Sequence, residues 1–197
     1  MPSPDPNRPE PAPLEPTERR LLIELAWVSI RHGLEKGVPV EVDPEIYPPR
    51  LHEPGAAFVT LHRQGRLRGC IGHLTATCPL VEDVAENAFA AAFRDPRFPA
   101  LEEWEVKDLD LEISVLSRPE PMSVRDEADL LGQLRPGIDG LILEDRGARG
   151  TFLPTVWESL PKPRDFLAEL RRKAGLPPGH WSGTLKVSRY RTETFGA

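Results

Sequence analysis

Ala57-Phe58-Val59-Thr60-Leu61-His62-Arg63 and Arg66-Leu67-Arg68-Gly69-Cys70-Ile71-Gly72 are two extended runs with only Gln64 and Gly65 between them. That spacing predicts a β-hairpin with a two-residue turn, although glutamine is a poor first residue where both central positions need positive φ. In a straight register Val59 faces Cys70 and Leu61 faces Arg68. Cys70 and Arg68 then share one side of the ladder, with Phe58, Thr60, Leu67 and Ile71 on the other. Gly69 and Gly72 weaken a strand and mark a bulge or a close backbone approach, so the pair leaves open space beside a thiol. No acidic residue occurs from Pro54 to Val81 although the chain has 31, whereas Arg63, Arg66 and Arg68 fall inside that window. Such a locally cationic stretch favours a thiolate or a bound anion.

Outward from the hairpin, Pro79 opens a helix whose apolar stripe is Leu80, Val84, Ala88 and Ala92, widened by Val81, Ala85 and Phe89. If its N-terminus points back at Cys70, its partial positive charge adds to the anion preference. Asp95-Pro96-Arg97-Phe98-Pro99 ends that helix in a charged turn, and Leu109–Leu116 alternates as a strand. Upstream, Thr17 caps a helix running to about Gly37, with Leu21, Leu25 and Val28 on one stripe and Leu22 and Ala26 beside it. Val38 to Pro54 holds five prolines and reads as an irregular crossing segment. Met1 to Pro16 has seven prolines and too little apolar surface to offset its ordering entropy, so 1–16 is expected to be a flexible tail ahead of one globular unit, 17–197. Downstream, a short helix is expected near Asp126 to Leu131 and a second hairpin around Asp145-Arg146-Gly147-Ala148. Helices are expected over Pro154–Leu160 and Pro163–Ala174, and a strand over Thr184–Thr194.

The 197 residues suffice for one substantial core or two lobes sharing one. With 39% hydrophobic and 28% charged residues and no apolar run near the roughly 18 that span a bilayer, no membrane segment is expected. The N-terminus lacks a secretory pattern and two cysteines make no disulfide framework, so free thiols and a cytoplasmic location are expected. A net charge of -6 disfavours broad wrapping of nucleic acid, while a local patch can still grip a few phosphates. Of the 25 basic residues, 20 are arginine.

Leu67-Arg68-Gly69-Cys70-Ile71-Gly72 resembles the hallmark of the AMMECR domain family, also called AmmeMemoRadiSam system protein A. Four further stretches look like family motifs in family order. They are Asp95-Pro96-Arg97-Phe98, Ile113-Ser114-Val115-Leu116-Ser117, Gly150 to Trp157 and Lys173-Ala174-Gly175-Leu176-Pro177. Together they cover about Thr17 to Phe195. Thr155 stands where many members have glutamine, and the proline-rich tail is outside the family pattern. The resemblance implies an α+β fold, an antiparallel sheet with flanking helices, in two unequal subdomains. The larger would contain both termini, the smaller the middle of the chain. It also implies a Memo-like protein and a radical S-adenosylmethionine protein as partners, with modification of RNA or another substrate among the roles proposed for the family.

Three functions stay open on the residues. One is an accessory component that presents an anionic group or RNA in a cationic cleft around Arg68, Gly69, Cys70 and Gly72, with Arg97 and Arg149 completing a guanidinium clamp. Another is an enzyme using Cys70 as nucleophile or redox thiol with His73 as base. In a continuing strand His73 points away from Cys70, so that pairing needs a bulge. The third is an interaction module in which the glycines serve only a tight crossing. Against each stands a plainer role: Cys70 as a small buried apolar residue, and the arginines as ion-pair partners. A zinc reading would join Cys70, His73 and Cys78, with His62 borrowed, but the spacing fits no recognised arrangement. No cofactor is expected. Trp27, Trp104, Trp157 and Trp181 read as packing residues, and Lys173 as a helix-end charge.

Overall fold

A computed structural model describes residues 13–196. Helix α1 (Pro16–Lys36) starts two residues earlier than a cap at Thr17 suggests, because Glu15 and Glu18 form a reciprocal cap in which the Glu15 N–H donates to Glu18 Oε2 at 2.8 Å. Leu14 is buried and its N–H donates to the Glu193 carboxylate at 3.0 Å. The expected tail therefore ends before Leu14; residues 1–12 lie outside the described residues. The buried stripe of α1 is Leu22, Leu25, Ala26, Ser29 and Ile30, and Val28, expected on it, is exposed.

After two short 3-10 turns come β1 (Pro54–Gly55), β2 (Ala57–Arg63), β3 (Arg66–Gly72), β4 (Cys78–Pro79), α2 (Leu80–Phe93) and β5 (Leu109–Leu116). The chain continues through β6 (Glu120–Pro121), α3 (Glu127–Gln133), β7 (Gly140–Asp145), β8 (Ala148–Phe152), α4 (Pro163–Lys173), β9 (Lys186–Tyr190) and β10 (Thr192–Gly196). The expected single strand 184–194 is two strands, broken at Arg191: β9 pairs with β7, whereas β10 lies beside β5 in another sheet. This is an α+β fold. None of the helices in the described residues is long and apolar enough to cross a membrane.

Residues 13–116 with 193–196 form one compact unit and 117–192 another. In the first, an antiparallel sheet runs β10-β5-β2-β3 and its apolar side, Ala57, Val59, Leu61, Leu111 and Ile113, is buried in a core that also takes in α1 and α2. All of α2 is buried except Glu82, Glu86 and Phe93, which is why it is so rich in alanine. In the second unit the sheet runs β6-β9-β7-β8, and Leu141, Leu143 and Val187 pack with Phe166, Leu167 and Leu170 of α4. Trp157 stacks on Phe166 with centroids 3.8 Å apart. Of the four tryptophans, Trp104 departs from a packing role: it is exposed, beneath the Arg63 guanidinium.

Candidate functional site

The β2–β3 hairpin turns on Gln64 and Gly65, with φ of 52° and 72°, the two positive values of the tight turn. Its register differs from the straight one. Arg63 faces Arg66 and His62 faces Leu67, but Leu61 then faces Gly69 and Thr60 faces Cys70. Arg68 is thus the extra residue of a β-bulge, and every position after it changes sides. The physical gain is on the helix side. A Cβ on Gly69 would lie 2.1 Å from the Ala91 carbonyl oxygen of α2, so only glycine lets this helix lie on the strand. In the straight register the Cys70 side chain would occupy that side.

The bulge also sends Arg68 into a buried ion pair: its Nε and Nη2 meet Glu105 at 2.8 and 2.9 Å. Arg68 holds the Glu105 carboxyl below its usual range, and Glu105 raises the guanidinium in return. Arg63 approaches the same carboxylate at 3.5 Å. The cationic window read from the sequence is therefore answered by an acid from a distant segment, and Arg68 is buried against Glu105 instead of lining an open cleft.

Cys70 is held through its backbone. Its N–H donates to Asp95 Oδ2 at 2.9 Å and its carbonyl accepts from Arg97 Nη2 at 3.3 Å. Asp95 and Arg97 are locked together by contacts of 2.9 and 2.6 Å, and the Arg97 guanidinium holds the Asp95 carboxyl well below the usual carboxylate range. The Asp95-Pro96-Arg97 turn so acts as a short surrogate strand, covering one residue of the open edge of β3. The thiol itself is half-buried and accepts a hydrogen bond from Thr60 Oγ1 at 3.2 Å. Gly72, on the same side, leaves room for the Phe58 ring, 2.3 Å from where its Cβ would stand.

His73 continues the ladder, its N–H donating to the Ala57 carbonyl at 3.2 Å, and its side chain turns to α2, away from Cys70, as strand alternation requires. The imidazole Nδ1 lies 2.6 Å from Asp83 Oδ1, while Asp83 Oδ2 accepts from the Ala57 N–H at 2.7 Å. Asn87, one helical turn on, donates to the Ala57 carbonyl at 3.2 Å. Burial pushes the Asp83 carboxyl up despite these donors. Cys78, at the start of α2, has its thiol pushed up by burial and then by the charges of Asp83 and Glu82. Both acids stand in the first turn of α2, where they answer the positive end of the helix from within.

The remaining candidates separate. Arg149 lies on β8 of the second unit, in an ion pair with Glu144 at 3.1 Å. Among the described residues no three of His, Cys, Asp and Glu come together as metal ligands, so the combination of Cys70, His73, Cys78 and His62 is not assembled. Lys173 sits over the Phe152 ring, 5.2 Å from its centroid. Sequence reasoning missed Asp83 and Asn87. Their four-residue spacing, in step with Leu80, Val84 and Ala91, places both on an apolar side of the helix, and that is the signal that would have found them.

The architecture and this edge-strand site define an α+β protein of two units, with an arginine bulge, a cysteine clamped by its backbone and an imidazole on a buried carboxylate. The chain belongs to the AMMECR1 family, whose model matches residues 23–195. It is 37% identical over 190 residues to a protein of Methanothermobacter thermautotrophicus, covering 93% of this chain and 96% of that one. A Sulfolobus acidocaldarius protein is 41% identical over 180 residues, covering 86% and 77%. The crystal structure of an uncharacterised protein from Pyrococcus horikoshii superposes with a TM-score of 0.83 at 36% identity, covering 93% of each chain.

Proposed function

We propose that this AMMECR1-family chain is an accessory component that acts beside a Memo-like protein and a radical S-adenosylmethionine protein, and that the motif strand is its docking and presenting platform. The observation that carries this reading is how the motif residues are used. Gly69 admits α2, Arg68 neutralises Glu105, and Cys70 is gripped by its N–H and C=O. Residues spent in this way build a rigid edge. A nucleophilic Cys70 would need a base, and His73 is turned to the other side of the strand, onto Asp83. Arg68 is buried in its pair with Glu105, whereas Arg97, although paired with Asp95, keeps a half-exposed guanidinium, so any anionic group or RNA presented here would be gripped by that open side of Arg97 and by groups its partners bring.

The test uses the full chain with purified Memo-like and radical S-adenosylmethionine proteins from the same source, mixed pairwise and together and read by light scattering. A defined complex with either partner supports the reading; free components in every mixture overturn it. Native iodoacetamide labelling with peptide mapping runs in parallel. Labelling of Cys70 near pH 7 at the rate of a denatured control would return the site to cysteine chemistry.

A further inference from the structure

The imidazole of His73 is built differently from the other four histidines. Of the five in the chain it is the one whose side chain stands clearly in solvent, 52% exposed, while the carboxylate that holds it is 1% exposed. Nδ1 and Asp83 Oδ1 are 2.6 Å apart, a distance at which a bare nitrogen lone pair would face carboxylate oxygen, so the proton sits on Nδ1 and is donated to Asp83. The Asn87 amide nitrogen, bonded to the Ala57 carbonyl, also lies 3.3 Å from Nδ1, but the Asp83 oxygen at 2.6 Å is much the shorter contact and decides the tautomer. Asp83 cannot rotate away, because its second oxygen is tied to the Ala57 N–H inside the sheet. The lone pair of the neutral ring is therefore on Nε2, at the solvent side. Free imidazole has no such fixed assignment, and a buried carboxylate on one nitrogen is the arrangement that fixes the tautomer and stabilises the imidazolium formed when the other nitrogen takes a proton.

We infer that His73 is an acid–base site: Nε2 takes the proton of a water molecule or of an uncharged substrate hydroxyl, and Asp83 positions it. In that step the O–H bond breaks, its electron pair stays on oxygen as the nucleophile, and the proton forms a new bond to Nε2. The imidazole becomes imidazolium, paired with the Asp83 carboxylate. The substrate class follows from charge. Before the transfer the pair carries the Asp83 negative charge, which disfavours an anionic group in contact with the ring and suits a neutral hydroxyl or water. Afterwards the pair is an internally neutral ion pair. Asp83 is the charged group in contact with the ring, and with Glu82 of the same helical turn it acts on the Cys78 thiol, which burial and these acids keep protonated. Cys70 takes no part, so the inference stands apart from the accessory reading.

Long-range 1H–15N correlation NMR on the intact chain decides the first part. The expected result is the Nδ1–H tautomer for neutral His73, with Asp83→Asn shifting population toward Nε2–H. The Nε2–H tautomer in the wild type overturns the proposal, and that measurement stands even if Asp83→Asn fails to fold. The proton transfer is read with p-nitrophenyl acetate as a neutral probe. General bases contribute about 10²–10⁴-fold in shaped sites, so on an unshaped probe wild type should hydrolyse about tenfold faster than His73→Gln, and slower in D2O than in H2O. Equal rates for wild type and His73→Gln overturn it. A wild-type excess without a solvent isotope effect overturns it too, since that marks Nε2 attacking the ester directly.

Discussion

The two hairpins of this molecule are built on one plan and differ in a single inserted residue. β2–β3 and β7–β8 each turn through two residues of positive φ, Gln64-Gly65 and Arg146-Gly147, and each ends in the edge strand of its own sheet. Each edge strand carries a glycine onto which a helix is laid: Gly69 under Ala91 of α2, Gly150 under Ala174, the residue that caps α4. β7–β8 runs in unbroken register from Leu141–Phe152 to Asp145–Ala148, whereas β2–β3 shifts at Arg68. The regular hairpin only packs. In the bulged one, the shift turns an arginine inward, brings Cys70 round to Thr60 and opens the edge to the Asp95–Arg97 clamp.

Their histidine–carboxylate pairs repeat the contrast. His180 Nε2 and His73 Nδ1 both lie 2.6 Å from an aspartate. Asp145 also accepts from Ser182 at 2.7 Å and Thr184 at 2.6 Å, and these hydrogen bonds hold its carboxyl down to about 2. Asp83 is pushed the other way, since desolvation outweighs its donors. One carboxylate is saturated and ties a loop; the other is held in apolar surroundings with an imidazole that reaches solvent.

The comparison of the two glycines gives the largest expected effect. A β-carbon on Gly69 would stand 2.1 Å from a backbone carbonyl oxygen that cannot move without shifting α2, while on Gly150 it meets Ala174 less closely, its Cβ at 2.7 Å and its backbone Cα and N at 2.9 Å. Gly69→Val should destabilise by about 3 kcal/mol or more and Gly150→Val by about 2. Urea midpoints of both variants check this, and the reverse order would mean that α2 is the softer of the two helices. Next in size is the bulge arginine. Arg68→Met strands the buried Glu105 carboxylate, which keeps the Glu102 N–H at 3.0 Å and the longer contact to Arg63, so about 2–3 kcal/mol should be lost, less than for a fully orphaned buried charge.

The opposite shifts of the two aspartates predict opposite pH slopes. For Asp145, whose folded value lies below its ordinary 3.8, the unfolded chain binds more proton between pH 4 and 2. Its contribution is full above that window and is lost as the pH falls through it. Asp83 is raised above 3.8, so the folded chain holds the extra proton, and stability falls as the pH rises from about 4 through the folded value. Melting temperatures from pH 2 to 7 should show a weaker acid loss for Asp145→Asn. Asp83→Asn should gain relative to wild type as the pH rises above 4. Parallel curves for both variants would erase the distinction between the sites.

The hairpin and its turn were legible because each rests on local signals, alternation and a Gln-Gly pair of turn length, whereas the α+β class was implied by the family resemblance of the motifs. The register was not. A bulge is decided by what lies on the far side of the strand, here the Ala91 carbonyl and Glu105, and neither is visible from the strand's own residues. The same blindness produced the cationic cleft. Counting charges from Pro54 to Val81 found three arginines and no acid, but Glu105, Asp95 and Asp83 reach that stretch from other segments. The opposite directions of Cys70 and His73 did follow from strand alternation. For Arg191, a one-residue break that transfers the chain between sheets left no mark in the alternating pattern of 184–194.

The smallest expected effect falls on the residue that looked most important. Cys70 sits in the centre of the family motif, yet its strongest contacts are made by atoms that every residue except proline possesses: an N–H to Asp95 and a carbonyl to Arg97. Its side chain accepts a single hydrogen bond, from Thr60, which a serine oxygen can accept as well. Serine is slightly smaller and more polar, and the position is half-buried, so Cys70→Ser should change stability by less than about 1 kcal/mol. Cys70→Pro removes the N–H itself and should cost about 3 kcal/mol, by freeing Asp95 from the edge of β3 and forcing a ring into the strand. Urea midpoints of the two variants separate the atoms. If serine cost as much as proline, the thiol would be the group the motif protects, and the platform reading of the edge strand would give way to sulfur chemistry.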